Sequence, residues 1–393
     1  MPDPLLTTPG KKSSLLALGF RPFFLGAGAL AFGAMALWLA RLHGLVPGDA
    51  YLGGTAWHAH EMLFGYVGAV IAGFLLTASR NWTGIDTPTG GWLGALVLLW
   101  LAARLAPLLP VPAPVVALLD LAFFPTLALA LVPPLWYGKN KVNRAFLGLL
   151  AAMTLANLLV HAQALGLTAA TASRGSRLML DLTLVTLFLV AGRIMPFFTQ
   201  SALAGSKAVN RAWVETATFA LAGALVLINL VLPASPVAAA VLLSLAVVQA
   251  LRLSGWYDGR AWHNPMLAVL YAGYLWLVAG LGLDGLAALG LLPPFPALHA
   301  LTAGGIGVFT LGMLARVTLG HTGRQMRASP GTTLAFVAIN LAALIRVLPP
   351  LAWPGHYSLW LALSGGLWLL AFGLFLWIYA PMLIQPRVDG RPG

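Results

Sequence analysis

WHAHEMLFGYVGAVIAGFLLTASRNWTG (57–84) is the stretch from which the fold can be read. It opens on two histidines and a glutamate, runs apolar through the middle, and stops at Arg80 and a Thr-Gly pair. An α-helix rises ~1.5 Å per residue, so His60 to Gly84 spans about 36 Å, one bilayer with its interfaces. A second stretch repeats the pattern, LHALTAGGIGVFTLGMLARVTLGHTG (298–323). At one constant offset His60 matches His299, Gly65 matches Gly304, and Gly68 matches Gly307. Leu75, Thr83 and Gly84 likewise match Leu314, Thr322 and Gly323.

The rest of the chain has the same character. Of 393 residues, 60% are hydrophobic and 8% are charged, whereas a soluble domain carries roughly 25% charged residues. This composition predicts an all-α, polytopic bundle in which lipid is the solvent. Apolar runs of spanning length fall near 21–43, 57–79, 91–109, 112–136, 145–166, 177–200, 212–232, 235–254, 264–284, 297–319, 331–352 and 357–384. They make about twelve transmembrane helices in a single domain, 1–393.

With the N-terminus cytoplasmic, 17 of the 22 basic residues fall on the inner side. Lys11 and Lys12 begin that set. The outer side keeps Arg41, Arg104, Arg174, Arg177 and Arg346. Positive residues concentrate in cytoplasmic loops, so both termini are expected inside. The formal charge of +12 then reflects topology, and nucleic acid is not expected as a partner. The lipid bilayer is. Lys11 and Lys12 lead into a first span without a small-residue cleavage site, which argues against a signal peptide.

The chain has no cysteine, which excludes disulfides, thiolate metal sites and iron–sulfur clusters. Any metal must use imidazole, carboxylate, Met, Tyr or backbone. His43, His58, His60, His161, His299 and His356 all fall toward the outer side, and His263 and His321 toward the inner. Ionisable side chains inside a membrane are costly and mark function, and imidazoles at one depth suit a metal or a haem. His58 and His60 stand two apart and point about 200° away from each other on a regular helix. Either the helix starts between them or they serve different sites. Glu61 can orient an imidazole. His, Glu and Trp57 at a helix start are also at home among headgroups.

The paired glycines 65/68 and 304/307 admit either a flat ligand or a neighbouring helix. Asn157 and His161 share a face of one helix. Asp120, Asp181, Asn229 and Asn340 interrupt apolar runs, where they can hold ligand imidazoles, relay protons or link helices. Arg193 precedes Pro196 near the inner side. His321 and Arg324 form HTGR (321–324), an anion site, a partner contact or a polar stop. There is no phosphate loop and no G-x-S-x-G. The H-E-x-x-H zinc pattern fails because position 64 is Phe.

GFRPFF (19–24), WHAHEMLFG (57–65), GFLLTASRNWTG (73–84), GRIMPFFT (192–199) and HALTAGGIG…ARVTLGHTGR (299–324) together resemble the NnrS family over nearly the whole chain. The resemblance implies a bacterial inner-membrane protein that carries haem, b-type by expectation, and copper. It further implies a role in nitric oxide metabolism or protection from nitrosative stress, often beside denitrification. The family carries a His where this chain has Tyr271, in VLYAGYLW (269–276), so no metal role is expected there.

Twelve helices with histidines on the second and tenth are also similar to the catalytic subunit of haem–copper oxidases. By that analogy His60 and His299 are an axial haem pair. His58, His161 and His356 remain for copper or a second haem. The multi-histidine copper cluster that oxidases hold on helices 6 and 7 has no counterpart here, so reduction of oxygen or nitric oxide is not implied. Two other classes of function fit a twelve-span chain. A secondary transporter would show substrate flux without stoichiometric metal. A sensor or assembly partner would purify with a protein and no metal.

Overall fold

A computed structural model describes residues 14–47 and 51–391; Lys11 and Lys12 lie outside them. The described residues form twelve helices long and apolar enough to cross a membrane: α1 Phe20–Leu42, α2 Gly54–Thr83, α3 Gly90–Leu108, α4 Ala113–Tyr137, α5 Lys141–Ala164, α6 Ala172–Ala202, α7 Ala212–Val231, α8 Pro236–Trp256, α9 Pro265–Ala288, α10 Pro294–His321, α11 Pro330–Ala352 and α12 Pro354–Ile384. The protein is a multi-pass membrane protein with the expected number of spans.

Local chemistry sets the helix ends. Ser235-Pro236, Asn264-Pro265 and Ser329-Pro330 start α8, α9 and α11, each cap side chain accepting a backbone N–H of the first turn. The proline follows at the position where no N–H is missed. The two Thr-Gly stops behave alike: Gly84 and Gly323 adopt φ of 71° and 76°, the left-handed conformation that glycine allows at a helix end.

Most helices pack against their chain neighbours, and α12 returns to close on α1. Three helices at intervals of four, α2, α6 and α10, are by far the most enclosed. About four-fifths of each apolar window is buried (83%, 78% and 78%), against 28–56% elsewhere. These three central helices can carry polar residues without presenting them to lipid. α2 touches α10 in the interior, where Tyr66 and Thr310 hydroxyls bond at 2.6 Å.

The internal repeat has a structural counterpart. Immediately after His60 the backbone of α2 widens into a π-helical segment, Glu61–Val67, and immediately after His299 α10 does the same over Ala300–Val308. Such segments are rare and gather at functional sites. The glycines serve side-chain packing. A Cβ on Gly304 would lie 2.6 Å from the Trp276 ring, and one on Gly307 would lie 2.8 Å from Trp368.

Candidate metal centre

α1 ends, α2 begins, α3 ends, α4 begins and α5 ends on one side of the bundle, here called the histidine side. The helical turn that starts at Gly54 runs unbroken through both His58 and His60, so the two rings diverge as the spacing requires. His60 turns inward and is 2% exposed. His58 turns toward α1 and stacks on Trp38, ring centroids 4.9 Å apart.

His60 meets residues from α4 and α5. Its Nε2 lies 2.9 Å from Asp120 Oδ2 and 3.1 Å from Asn157 Oδ1. His161 Nε2 lies 2.9 Å from the same Asp120 oxygen. The two imidazoles stand edge to face at 5.4 Å. Both far nitrogens are held as well: His60 Nδ1 by Glu61 Oε1 at 3.4 Å and His161 Nδ1 by the Tyr51 hydroxyl at 2.7 Å. Arg104 from α3 ties the carboxylates together, donating Nη1 to Glu61 Oε1 at 3.0 Å and Nη2 to Asp120 Oδ1. Asn157 Nδ2 also reaches the Asp120 carbonyl at 3.4 Å.

One ligand atom from each of His60, Asp120 and His161 falls within 4.8 Å of the others, and all three residues are buried. Two imidazoles and one carboxylate, each imidazole braced by an oxygen on its other nitrogen, is the donor arrangement of a metal site with its supporting shell. Charge points the same way. Glu61 and Asp120 bring two negative charges and Arg104 one positive. With both imidazoles neutral one buried negative charge lacks a partner, which is costly in a low dielectric. A bound cation or a proton balances it.

His299 occupies different surroundings. Its Nδ1 lies 2.9 Å from the Phe295 carbonyl, and its ring centroid lies 4.2 Å from that of Phe295. Arg346 of α11 covers the same Phe295 ring at 4.0 Å and donates to the Tyr357 hydroxyl at 3.0 Å. Arg346 is also the charged neighbour that His58 and His299 have in common. The structure therefore joins His60 and His161 through Asp120, and leaves His58 and His299 both in the field of Arg346. His60 and His299 share no neighbour among these contacts. His356 is exposed, with Trp360 as its ring neighbour. His43 is exposed at the end of α1.

The remaining candidates lie elsewhere. Arg193 donates to Asn143 Oδ1 at 2.9 Å and covers Trp82. His321 packs on Phe20, ring centroids 5.4 Å apart, and its carbonyl accepts from Arg387 at 2.8 Å. Arg324 follows it at the C-terminal end of α10, with its Nη1 buried and no acceptor on it. Tyr271 spends its hydroxyl on Thr199 at 2.9 Å and on the Trp256 carbonyl at 2.5 Å, near the start of α9 and away from the histidine side. Asp181 is held by Arg177 and Asn229, and Asn340 by Trp276.

Arg104 and Tyr51 are the members of the cluster that sequence reading passes over. Arg104 did leave a signal, since it is one of five basic residues on the wrong side of the charge bias. Three of those five, Arg104, Arg177 and Arg346, are half or more buried and occupied with polar partners. Tyr51 sits in a loop where periodicity says nothing.

The chain is thus a twelve-span membrane protein with a buried His/Asp cluster, where α2, α4 and α5 meet, that could hold a metal ion. Residues 14–387 match the NnrS protein family. The chain is a member of that family, and membership connects it with nitric oxide. No curated protein matches it.

Proposed function

We propose that this protein binds copper and haem on its histidine side and acts there on nitric oxide, either turning it over or limiting its damage, in the inner membrane of a bacterium. The observation that carries the reading is the convergence of His60, Asp120 and His161 within 4.8 Å inside the bundle. Copper accepts imidazole nitrogen readily, and these three residues would hold it. Glu61 and Tyr51 fix the imidazoles, and Arg104 fixes the carboxylates.

The donor chemistry for haem lies at the second grouping. With its Nδ1–H donated to the Phe295 carbonyl, His299 keeps Nε2 as a lone-pair donor. His58 has a buried Nδ1 with no protein partner. These two rings would hold a haem more readily than His60, whose nitrogens are both engaged. Bound haem would supply an iron centre able to exchange electrons or to bind a diatomic gas. The chain's own residues do the rest. Phe295 and Trp38 hold the two rings, and the enclosed faces of α2 and α10 exclude water.

The charge bias supports cytoplasmic termini, and with them a histidine side in the periplasmic half of the bilayer.

Metal analysis and optical spectra of the detergent-purified protein, with and without nitric oxide, test the reading. His60→Ala and His161→Ala are expected to lose copper and keep haem, and His58→Ala and His299→Ala to lose haem and keep copper. Purified protein with neither metal nor haem, from cells supplied with both, would overturn it.

A further inference from the structure

The buried N–H groups without an acceptor among the described residues include Arg41 Nε and Nη1, Trp57 Nε1 and Arg346 Nη1 on the histidine side; others, on Arg104, Arg316 and Arg324, lie apart from these. These groups donate only, and leaving a buried donor unmet is costly. The arginines have other contacts, but those do not use the free N–H groups. The Arg41 guanidinium lies 4.3 Å over the Trp57 ring and that of Arg346 lies 4.0 Å over Phe295. Stacking of this kind offsets part of the charge and supplies no acceptor.

Among the described residues no carboxylate forms an ion pair with either arginine. Glu61 and Asp120 go to Arg104, and Asp181 and Asp284 go to Arg177. The two unmatched guanidiniums flank the second imidazole grouping. Trp57 adjoins His58, whose ring rests on Trp38 one turn before Arg41. Arg346 reaches His299 through Phe295. Planar guanidinium forks match planar oxyanions bidentately.

We propose that Arg41, Trp57 and Arg346 form a clamp for carboxylate groups on the ligand that His58 and His299 hold. The inference rests on the haem reading above and extends it: the two arginines would serve the two propionate carboxylates of a haem. A free small oxyanion such as nitrite has the same chemistry, and the experiment separates the two sources.

The full chain, produced in haem-depleted cells and placed in nanodiscs, is titrated with haemin and with haemin dimethyl ester, which lacks both carboxylates. Binding is followed by Soret absorbance. The wild type is expected to bind haemin tighter than the ester by about ten- to a hundred-fold, the range for charge-assisted hydrogen bonds. That preference should fall to within about two-fold in the Arg41→Gln/Arg346→Gln double variant and survive in part in Arg346→Lys. Monodisperse gel filtration of each variant, together with ester binding equal to wild type, shows that the fold is intact. Equal affinity of the wild type for haemin and ester would overturn the clamp while leaving the haem reading standing. A nitrite-induced spectral shift confined to ester-loaded wild type would reassign the clamp to free oxyanion. Binding of neither compound would overturn both readings.

Discussion

Asp120→Asn is the sharpest test of the cluster, because one carboxylate serves three partners. Its Oδ2 faces His60 and His161 at 2.9 Å each, and its Oδ1 takes Arg104. The side chains of Asp120, Arg104 and both histidines are at most 4% exposed, so solvent screening gives little relief. Removing one partner of a buried ion pair costs about 3–5 kcal/mol. Arg104 retains Glu61 at 3.0 Å, which puts the expected loss at the lower end, about 3 kcal/mol.

An internal control is available. The pair Arg80–Asp86 is 41% and 82% exposed, so Asp86→Asn should cost less than about 1 kcal/mol. Stability is read by SDS-induced unfolding in mixed micelles, and copper by elemental analysis of the same preparations. Asp120→Asn should hold less than about a tenth of the wild-type copper, given that even supporting residues tune metal affinity by about 10–100-fold. Adding Arg104→Gln should cost further stability, since the buried Glu61 carboxylate then loses its guanidinium partner at 3.0 Å, and should not restore copper. Full copper with an unaltered spectrum in Asp120→Asn would refute the assignment of Asp120 as a ligand. A stability loss no larger than that of Asp86→Asn would refute the buried network itself.

Tyr51→Phe removes the hydroxyl from His161 Nδ1 and should weaken copper binding by about 10–100-fold with little change in stability, measured by competition with a chelator. Gly65→Ala should be harmful, because its Cβ would lie 2.7 Å from Leu30 and 3.0 Å from Glu61 Oε2. The expected cost is about 1–3 kcal/mol together with copper loss, whereas Gly148→Ala, with nothing within 4 Å, should be neutral or slightly stabilising in the same unfolding assay. At the C-terminus, Arg387 donates to both Asp389 oxygens at 2.9 and 2.6 Å, and these bonds hold the Asp389 carboxyl down to about 2. A lowered carboxyl contributes above its ordinary range and is lost only as pH falls through the folded value. A spin label at Gly390 should thus stay immobile from pH 7 to 4, loosen near pH 2, and be mobile at every pH in Arg387→Ala.

The number of spans and the kinship of α2 and α10 were legible because both follow from local rules. Bilayer thickness demands about twenty apolar residues per crossing, and composition shows where they are. The repeat predicted that His60 and His299 lie at equivalent ends of two matching helices, and the π-helical segments that follow each and the glycine stops bear out the match. The two-residue spacing of His58 and His60 left open whether the helix starts between them; because one helical turn runs through both, the rings diverge.

What the rings diverge toward was not legible. His60 meets Asp120 and Asn157 across 60 and 97 positions of chain, and His58 and His299 come under one arginine from yet another helix. Such pairings depend on helix rotation and tilt in the packed bundle, which periodicity does not carry when nearly every face is apolar. The sequence alone thus determined that this is a twelve-span membrane protein with six of its imidazoles toward one side of the bundle. Tertiary packing decided which imidazoles share a carboxylate, and which come instead near Arg346, a guanidinium with no carboxylate partner among the described residues.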